Sequence, residues 1–438
     1  MRIKRFLRTI LFLGLVITSA CTSSVSEQIV TPDVTSGDAA APTVTITESP
    51  TASPTDTESP PGPPTAAPPP TVETGPVPTL AAGIELDIAY IDMIDPEVGW
   101  AIGGVGGARD RVLYTTDGAR SFSDITPPVG PVLEAGRQYW TVGAFLDRDH
   151  ARVLYFPAVL EPAPPAGSDV VIWRTDDAGI TWAQSQLVST SVLGTQDFPP
   201  RLSFINPDEG WFMARNGGAG MHRYPISLYS SKDGGLSWQP LIEALGGSEL
   251  QSCRKTGWAI SNSLVGLTTI DNCPIDGPAI ERSIDGGVTW DRVILPPPIN
   301  DPDSVTHAYC QTFSPQAVDA KLVVLAATCT AYEGENAERD LFYRSGDGGE
   351  TWDGWDFPGG ELFFLDEARG FALSREIYWT ADGGVTWEEQ KTVNWDGQFS
   401  FVSPDVGWAV ARNEGQLALV ATTDRAQTWN IIEPVVRP

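Results

Sequence analysis

Seven aspartates recur at the third place of one eight-residue phrase, and what their carboxylates can do comes first. Asp117, Asp177, Asp233, Asp285, Asp347, Asp382 and Asp424 each follow the order hydroxyl, any residue, Asp, any, Gly, any, hydroxyl, aromatic. The clearest copies are Ser345 to Trp352, Ser231 to Trp238, Ser283 to Trp290, Thr175 to Trp182 and Thr380 to Trp387. Looser ones at the two ends, Thr115 to Phe122 and Thr422 to Trp429, carry Ala119 and Ala426 in place of Gly. A calcium ion takes roughly six to eight oxygen ligands, and most copies offer one carboxylate. The carboxylate is better suited to accepting amide hydrogen bonds within a turn, where Gly supplies positive φ. The phrase therefore reads as scaffold.

Other chemistry-bearing groups give weaker patterns. His150, His222 and His307 are scattered and read as surface or loop residues. The Gly103 to Gly107 run looks like a phosphate loop but lies between two strand patterns with no helix behind it, so it reads as a turn. No close Cys-x-x-Cys accompanies the cysteines, and no metal or cofactor is expected. Carboxylates are so abundant that some pair at a separation suited to glycoside cleavage arises by accident.

The elements around the phrases are short β-forming runs, such as Leu341-Phe342-Tyr343 before and Thr289 to Ile294 after. Asp-Gly between two such runs signals a hairpin. A second motif ends in Gly-aromatic: Asp95 to Trp100, Asn206 to Trp211, Asp366 to Phe371 and Ser403 to Trp408. Looser versions run from Leu146 to Tyr155 and Phe313 to Val323, and Gly257-Trp258 is read the same way. The aspartates are spaced 35 to 62 residues apart, which suits one four-stranded blade per interval. The expected fold is all-β: a seven-bladed β-propeller over residues 81–438, four antiparallel strands per blade.

The phrase resembles the Asp-box, or BNR repeat, of sialidases, sortilin-type receptors, some glycoside hydrolases and the photosystem II assembly-factor family. Pairing of both motifs is most similar to the last. That resemblance implies a non-enzymatic scaffold, an assembly factor for an exported or membrane complex. In the same family arginines near the box form a basic patch; Arg174, Arg282 and Arg344 stand at such places, and pairing with neighbouring acids is expected for them. Sialidases resemble one another in an Arg-Ile-Pro motif, an arginine triad and a Tyr–Glu pair. Pro200-Arg201-Leu202 is the nearest approach to the first of these. Xyloglucanase-type enzymes use a cleft between two propellers, whereas one is expected here.

Residues 1–21 combine basic Arg2, Lys4, Arg5 and Arg8 with an apolar run too short to span a membrane. Together with Thr18-Ser19-Ala20-Cys21 this resembles a bacterial lipoprotein signal, with Cys21 as the lipid-attachment site. Residues 22–80 hold no Lys or Arg and are rich in Thr, Pro and Ser, the composition of a disordered tether. The expected location is extracytoplasmic, anchored through the N-terminal lipid alone. The chain carries −28, and its propeller about −25 once signal and tether are set aside. Such acidity argues against nucleic acid.

Four further cysteines allow three pairings. Cys253 and Cys273 lie symmetrically about Asn262-Ser263, and Cys310 and Cys329 about Asp319-Ala320, which favours the disulfides 253–273 and 310–329. Long individual connections, rather than the repetitive turns, suit a binding face. On them His222, Arg223, Tyr224, Tyr332, Glu333 and Glu335 are the candidates. The expectation is a monomeric, non-enzymatic cell-surface propeller binding an exported or membrane protein or a glycan. The alternative is a glycoside hydrolase or sialidase-like enzyme acting on extracellular glycans.

Overall fold

The computed structural model describes residues 79–128, 139–157, 168–190, 199–215, 226–243, 250, 255–261, 264–269, 278–299, 308–331 and 338–437. All belong to the compact unit Thr71–Pro438. They hold no α-helix. Residues 1–78 of the expected signal and tether (1–80) lie outside the described residues; Leu80, placed in the tether from sequence, instead packs on the first sheet's cluster and donates its amide to Asp124 at 3.0 Å.

The strands form sheets built on four antiparallel members in chain order, with Ser168–Val170 and Gln316–Ala317 off the four-strand paths and Val435–Val436 added in parallel to the first, the arrangement of a β-propeller. Sheet 1 runs Asp87–Met93, Gly99–Gly104, Arg111–Thr115 and Ser121–Asp124. Each later sheet repeats that order from its own inner strand: Tyr139–Phe145, Arg201–Phe204, Lys255–Ser261, Ala308–Thr312, Glu361–Phe364 and Asp396–Phe401 open sheets 2 to 7. Apolar clusters fill the gap between each sheet and the next. Trp100 and Val112 of sheet 1 meet Val153 and Trp173 of sheet 2, and Ile280 of sheet 4 meets Val323 and Leu325 of sheet 5. Phe371 of sheet 6 meets Phe401 of sheet 7. Trp408 and Val410 of sheet 7 return to Ile91 and Leu113 of sheet 1.

The eight-residue phrase closes the turn between third and fourth strands. In the fifth sheet Ser345 donates its hydroxyl to Asp347 Oδ1 at 2.8 Å and accepts the Gly349 amide at 2.7 Å. Asp347 then accepts the Thr351 amide at 2.9 Å and its hydroxyl at 2.6 Å. All seven aspartates make this set of bonds.

The second motif is a carboxylate- or hydroxyl-capped turn between first and second strands. Asp95 accepts amides of Glu97 and Val98 at 2.8 and 2.9 Å. Asp147, Asn206, Asp319 and Asp366 do likewise. Its Gly is required by packing: a Cβ at Gly210, Gly370 or Gly407 would run into the ring of Phe204, Phe364 or Phe401. The two kinds of turn touch, as when Gly234 N–H donates to the Asp208 carbonyl at 2.8 Å, so both lie on one face.

Gly257-Trp258 corrects the sequence reading. Both residues sit within the inner strand of sheet 4, and Val265, opposite Ser283, holds the place that Gly occupies elsewhere. Gly followed by Trp signals this turn only when a capping residue precedes it, and Lys255-Thr256 supplies none in a strand already paired with residues 264–269.

Candidate active site in the channel

Outside sheet 4, each inner strand ends at a capped turn, so its first residues lie toward the opposite face, the one bearing the longer connections. Side chains that point inward from these strands line the central channel. Tyr90, in the middle of Asp87–Met93, is shared by two adjoining cavities of about 340 and 280 Å³. The larger is walled by Arg201, Trp258, Thr141 and Ile102. Glu361, Gln316, Gln398 and Ser314 wall the smaller. Arg201 and Glu361 each open an inner strand and so stand toward the long-connection end.

Supporting contacts hold these groups. Arg201 donates to the Thr256 carbonyl at 3.1 Å and to Ser314 Oγ at 3.5 Å, while its Nε is buried with no partner. Gln398 accepts the Ile91 amide and donates to the Ile91 carbonyl, both at 2.9 Å, pinning the strand beside Tyr90. Gln316 grips Phe364 in the same two-bonded way. These glutamines tie neighbouring inner strands where ladder bonds are absent.

The electrostatics follow from enclosure. Burial pushes the Asp92 carboxyl up to about 7. Asp92 lies two residues beyond Tyr90 on the same strand, hence on the same face. Burial first, then the carboxylates of Asp92 and Glu361, keep the Tyr90 phenol protonated far above its ordinary range. Glu361 is exposed yet forms part of a cavity wall. That enclosure raises its carboxyl, and Arg201 partly offsets the rise. Arg201 is lowered by burial and supported by Glu361. A phenol, the Glu361 carboxyl and a partly unpaired guanidinium thus line two adjoining cavities, with the Asp92 carboxyl on the phenol's strand though in neither lining, an arrangement suited to proton transfer and anion stabilisation.

None of the six binding candidates named from sequence, His222, Arg223, Tyr224, Tyr332, Glu333 and Glu335, is among the described residues, nor are Cys21, Cys253 and Cys273. Cys310 and Cys329 face each other across adjacent strands and are joined, S–S 2.09 Å with Cα atoms 4.1 Å apart. His150 bonds Asp147 within a capped turn. Of the arginines before the phrase, Arg174 pairs with an acid as expected, and all three also reach the next sheet. Arg174 pairs with Asp176 at 2.6 Å, but Arg174, Arg282 and Arg344 also donate to backbone carbonyls of Asp233, Gly349 and Gly383, each in the next sheet's turn. Turn carbonyls aimed sideways are the nearest acceptors, and no one-sheet pattern reveals them.

The channel residues were not singled out from sequence, apart from Arg201 as a poor motif match. A usable signal existed: Tyr90 and Asp92 are polar positions in a run just before a capped turn, where inward alternation faces the channel.

The fold places the chain among β-propellers. No protein-family model matches it, and no curated protein matches it. Among solved structures it is similar to the polysaccharide lyase Uly1, 10% identical over 78% of this chain and 91% of that one, TM-score 0.47. A polysaccharide lyase of the PL25 ulvan lyase family is 11% identical over 82% and 97%, TM-score 0.44. The GH93 α-L-arabinofuranosidase of Fusarium graminearum is 12% identical over 67% and 95%, TM-score 0.40. Likeness at this level concerns architecture and carries no substrate across. The structures named are titled as glycan-active enzymes; the expectation of a non-enzymatic scaffold or assembly factor is withdrawn in favour of the reading that the channel chemistry supports.

Proposed function

We propose that this protein is an enzyme acting on glycan chains, with its centre at Tyr90, Asp92, Arg201 and Glu361. The observation that carries this reading is Tyr90 itself, which lines both cavities and feels the charges of both carboxylates. In this reading Glu361, reachable from channel water, exchanges a proton with the bridging oxygen or the attacking group. Tyr90 holds its proton as a donor, Asp92 tunes it, and Arg201 stabilises negative charge that develops beside Glu361. The glycan-active titles of the similar structures agree with it in kind.

The test is turnover by the full chain on a panel of neutral and acidic polysaccharides. New reducing ends would report hydrolysis, and ultraviolet absorbance of unsaturated uronate would report elimination. Glu361→Gln is expected to lose about 10²–10⁴ in rate, and Tyr90→Phe a similar share. Activity on no member of the panel, or full activity in both variants, would refute the reading.

The finer architecture belongs to the same proposal: a closed ring of seven blades whose turns are of the Asp-box kind. It is supported by the run of four-stranded sheets and by the apolar cluster that joins sheet 7 to sheet 1. A lipid anchor at Cys21 and a tether would hold this ring outside the membrane, where polysaccharide is met.

A further inference from the structure

At the long-connection end of the channel, two arginines flank the larger cavity, each bonded to the backbone of a wall residue or its neighbour. Arg109 lies between the second and third strands of sheet 1, its guanidinium 4.2 Å from the centre of the Trp140 ring. Its carbonyl accepts the amide of Thr141, a wall residue of the larger cavity, at 2.9 Å. Arg412, at the end of the second strand of sheet 7, is exposed and donates to the Ala89 carbonyl at 2.9 Å, next to Tyr90. Burial first, and then the charge of Arg412, lowers the Arg109 guanidinium.

Nearby acids are engaged elsewhere: Asp87 accepts the Gly107 amide at 2.7 Å, and Asp110 lies 3.8 Å from Arg111. Among the described residues neither Arg109 nor Arg412 forms an ion pair. In a propeller of about −25, two cations on one cavity's flank keep open donor capacity. Guanidinium groups present forked N–H donors that match carboxylate and sulfate oxygens.

We infer that Arg109 and Arg412, with Trp140 as a backing plate, form a subsite for an anionic substituent, carboxylate or sulfate, on the glycan that reaches Tyr90. The inference rests on the enzymatic reading above and names its substrate class: an acidic polysaccharide rather than a neutral one. A sugar at the channel centre would place its neighbour's anionic group against this pair, which fixes register along the chain.

Binding is measured separately from turnover, so that the two readings fail separately. Full-length Glu361→Gln protein is titrated calorimetrically with an oligogalacturonate, a sulfated galactan oligosaccharide and a neutral arabinan oligosaccharide. The charged ligands are expected to bind, and the stronger of the two identifies carboxylate or sulfate. Arg412→Ala and Arg109→Gln should each weaken that binding about tenfold, with Arg412→Lys recovering part of it. Arg412 is exposed, so its variant decides the matter should Arg109→Gln misfold. Equal binding of the neutral ligand, no binding of any, or charged-ligand affinity unchanged in Arg412→Ala would overturn the inference.

Discussion

Trp408 of the last sheet donates its indole N–H to the carbonyl of Gly118 in the first, 3.3 Å away. Trp211 makes the same contact one sheet forward, to Gly286 at 2.9 Å. The bond that links neighbours in mid-chain thus also joins sheets whose partners lie 290 residues apart.

Removing this donor is therefore informative. Trp408→Phe should cost about 1 kcal/mol, one net hydrogen bond, and Trp408→Ala about 3–5 kcal/mol through the cavity it leaves. Trp387 has a buried indole N–H with no partner, so Trp387→Phe should lose far less than Trp408→Phe. Urea denaturation of the three variants compares them; equal losses for both Phe variants would deny the bond any role.

Arg152 replaces the aromatic at this position in sheet 2 and is fully buried. It donates to carbonyls of Gly234, Pro207 and Thr175 at 2.7, 2.6 and 2.9 Å and lies 3.1 Å from Asp176. Arg152→Met strands these acceptors and should destabilise by about 3–5 kcal/mol. Lysine, a point charge without a fork, should not rescue it. Denaturant midpoints measure this directly.

Asp92 gives the folded state an acid-favouring slope. Its carboxyl titrates near 7 when folded against 3.8 unfolded, so between those values the native state binds the extra proton. Stability from this group is full below about pH 4 and falls as pH rises toward 7. Asp92→Asn should remove that fall, leaving the variant relatively more stable at pH 8 than at pH 4. Thermal melts across that range supply the measurement.

The turn aspartates act with the opposite sign. The Thr289 hydroxyl, joined by amide donors, holds Asp285 at about 2. Its contribution is present above pH 4 and is lost as pH falls toward 2. Asp285→Asn should flatten acid unfolding in that window, seen by circular dichroism, and lower stability evenly between pH 6 and 8 without adding a pH dependence there.

The chain's end is a fifth test. Val435–Val436 pairs in parallel with Ser121–Asp124. The amides of Gly83 and Leu86 donate to carbonyls of Val436 and Pro434, both at 2.9 Å. Deleting residues 434–438 strips the outer edge of sheet 1 and frees the 83–86 segment. A lower melting temperature with increased aggregation is expected, because an exposed strand edge recruits other chains.

How much was legible beforehand depends on the range of the interaction. The turn built on Ser345 and Asp347 was readable because donor, acceptor and Gly lie within eight residues, and repetition turned one local signal into an architecture. The Cys310–Cys329 opposition was readable for a similar reason, since both strands flank one hairpin. Arg174, Arg282 and Arg344 were located, but their acceptors belong to other sheets. The channel group was passed over because Tyr90, Arg201 and Glu361 come from three distant strands with no shared motif.

By itself the sequence determined the local bends, the alternation of strands and the rhythm that makes sheets repeat, since each depends on bonds between near neighbours. Which phenol, guanidinium and carboxyls face one another was decided only by closing those sheets around an axis. Closure brings residues 90, 201 and 361 into one low-dielectric space, where enclosure and mutual charge, rather than residue type, set their chemistry.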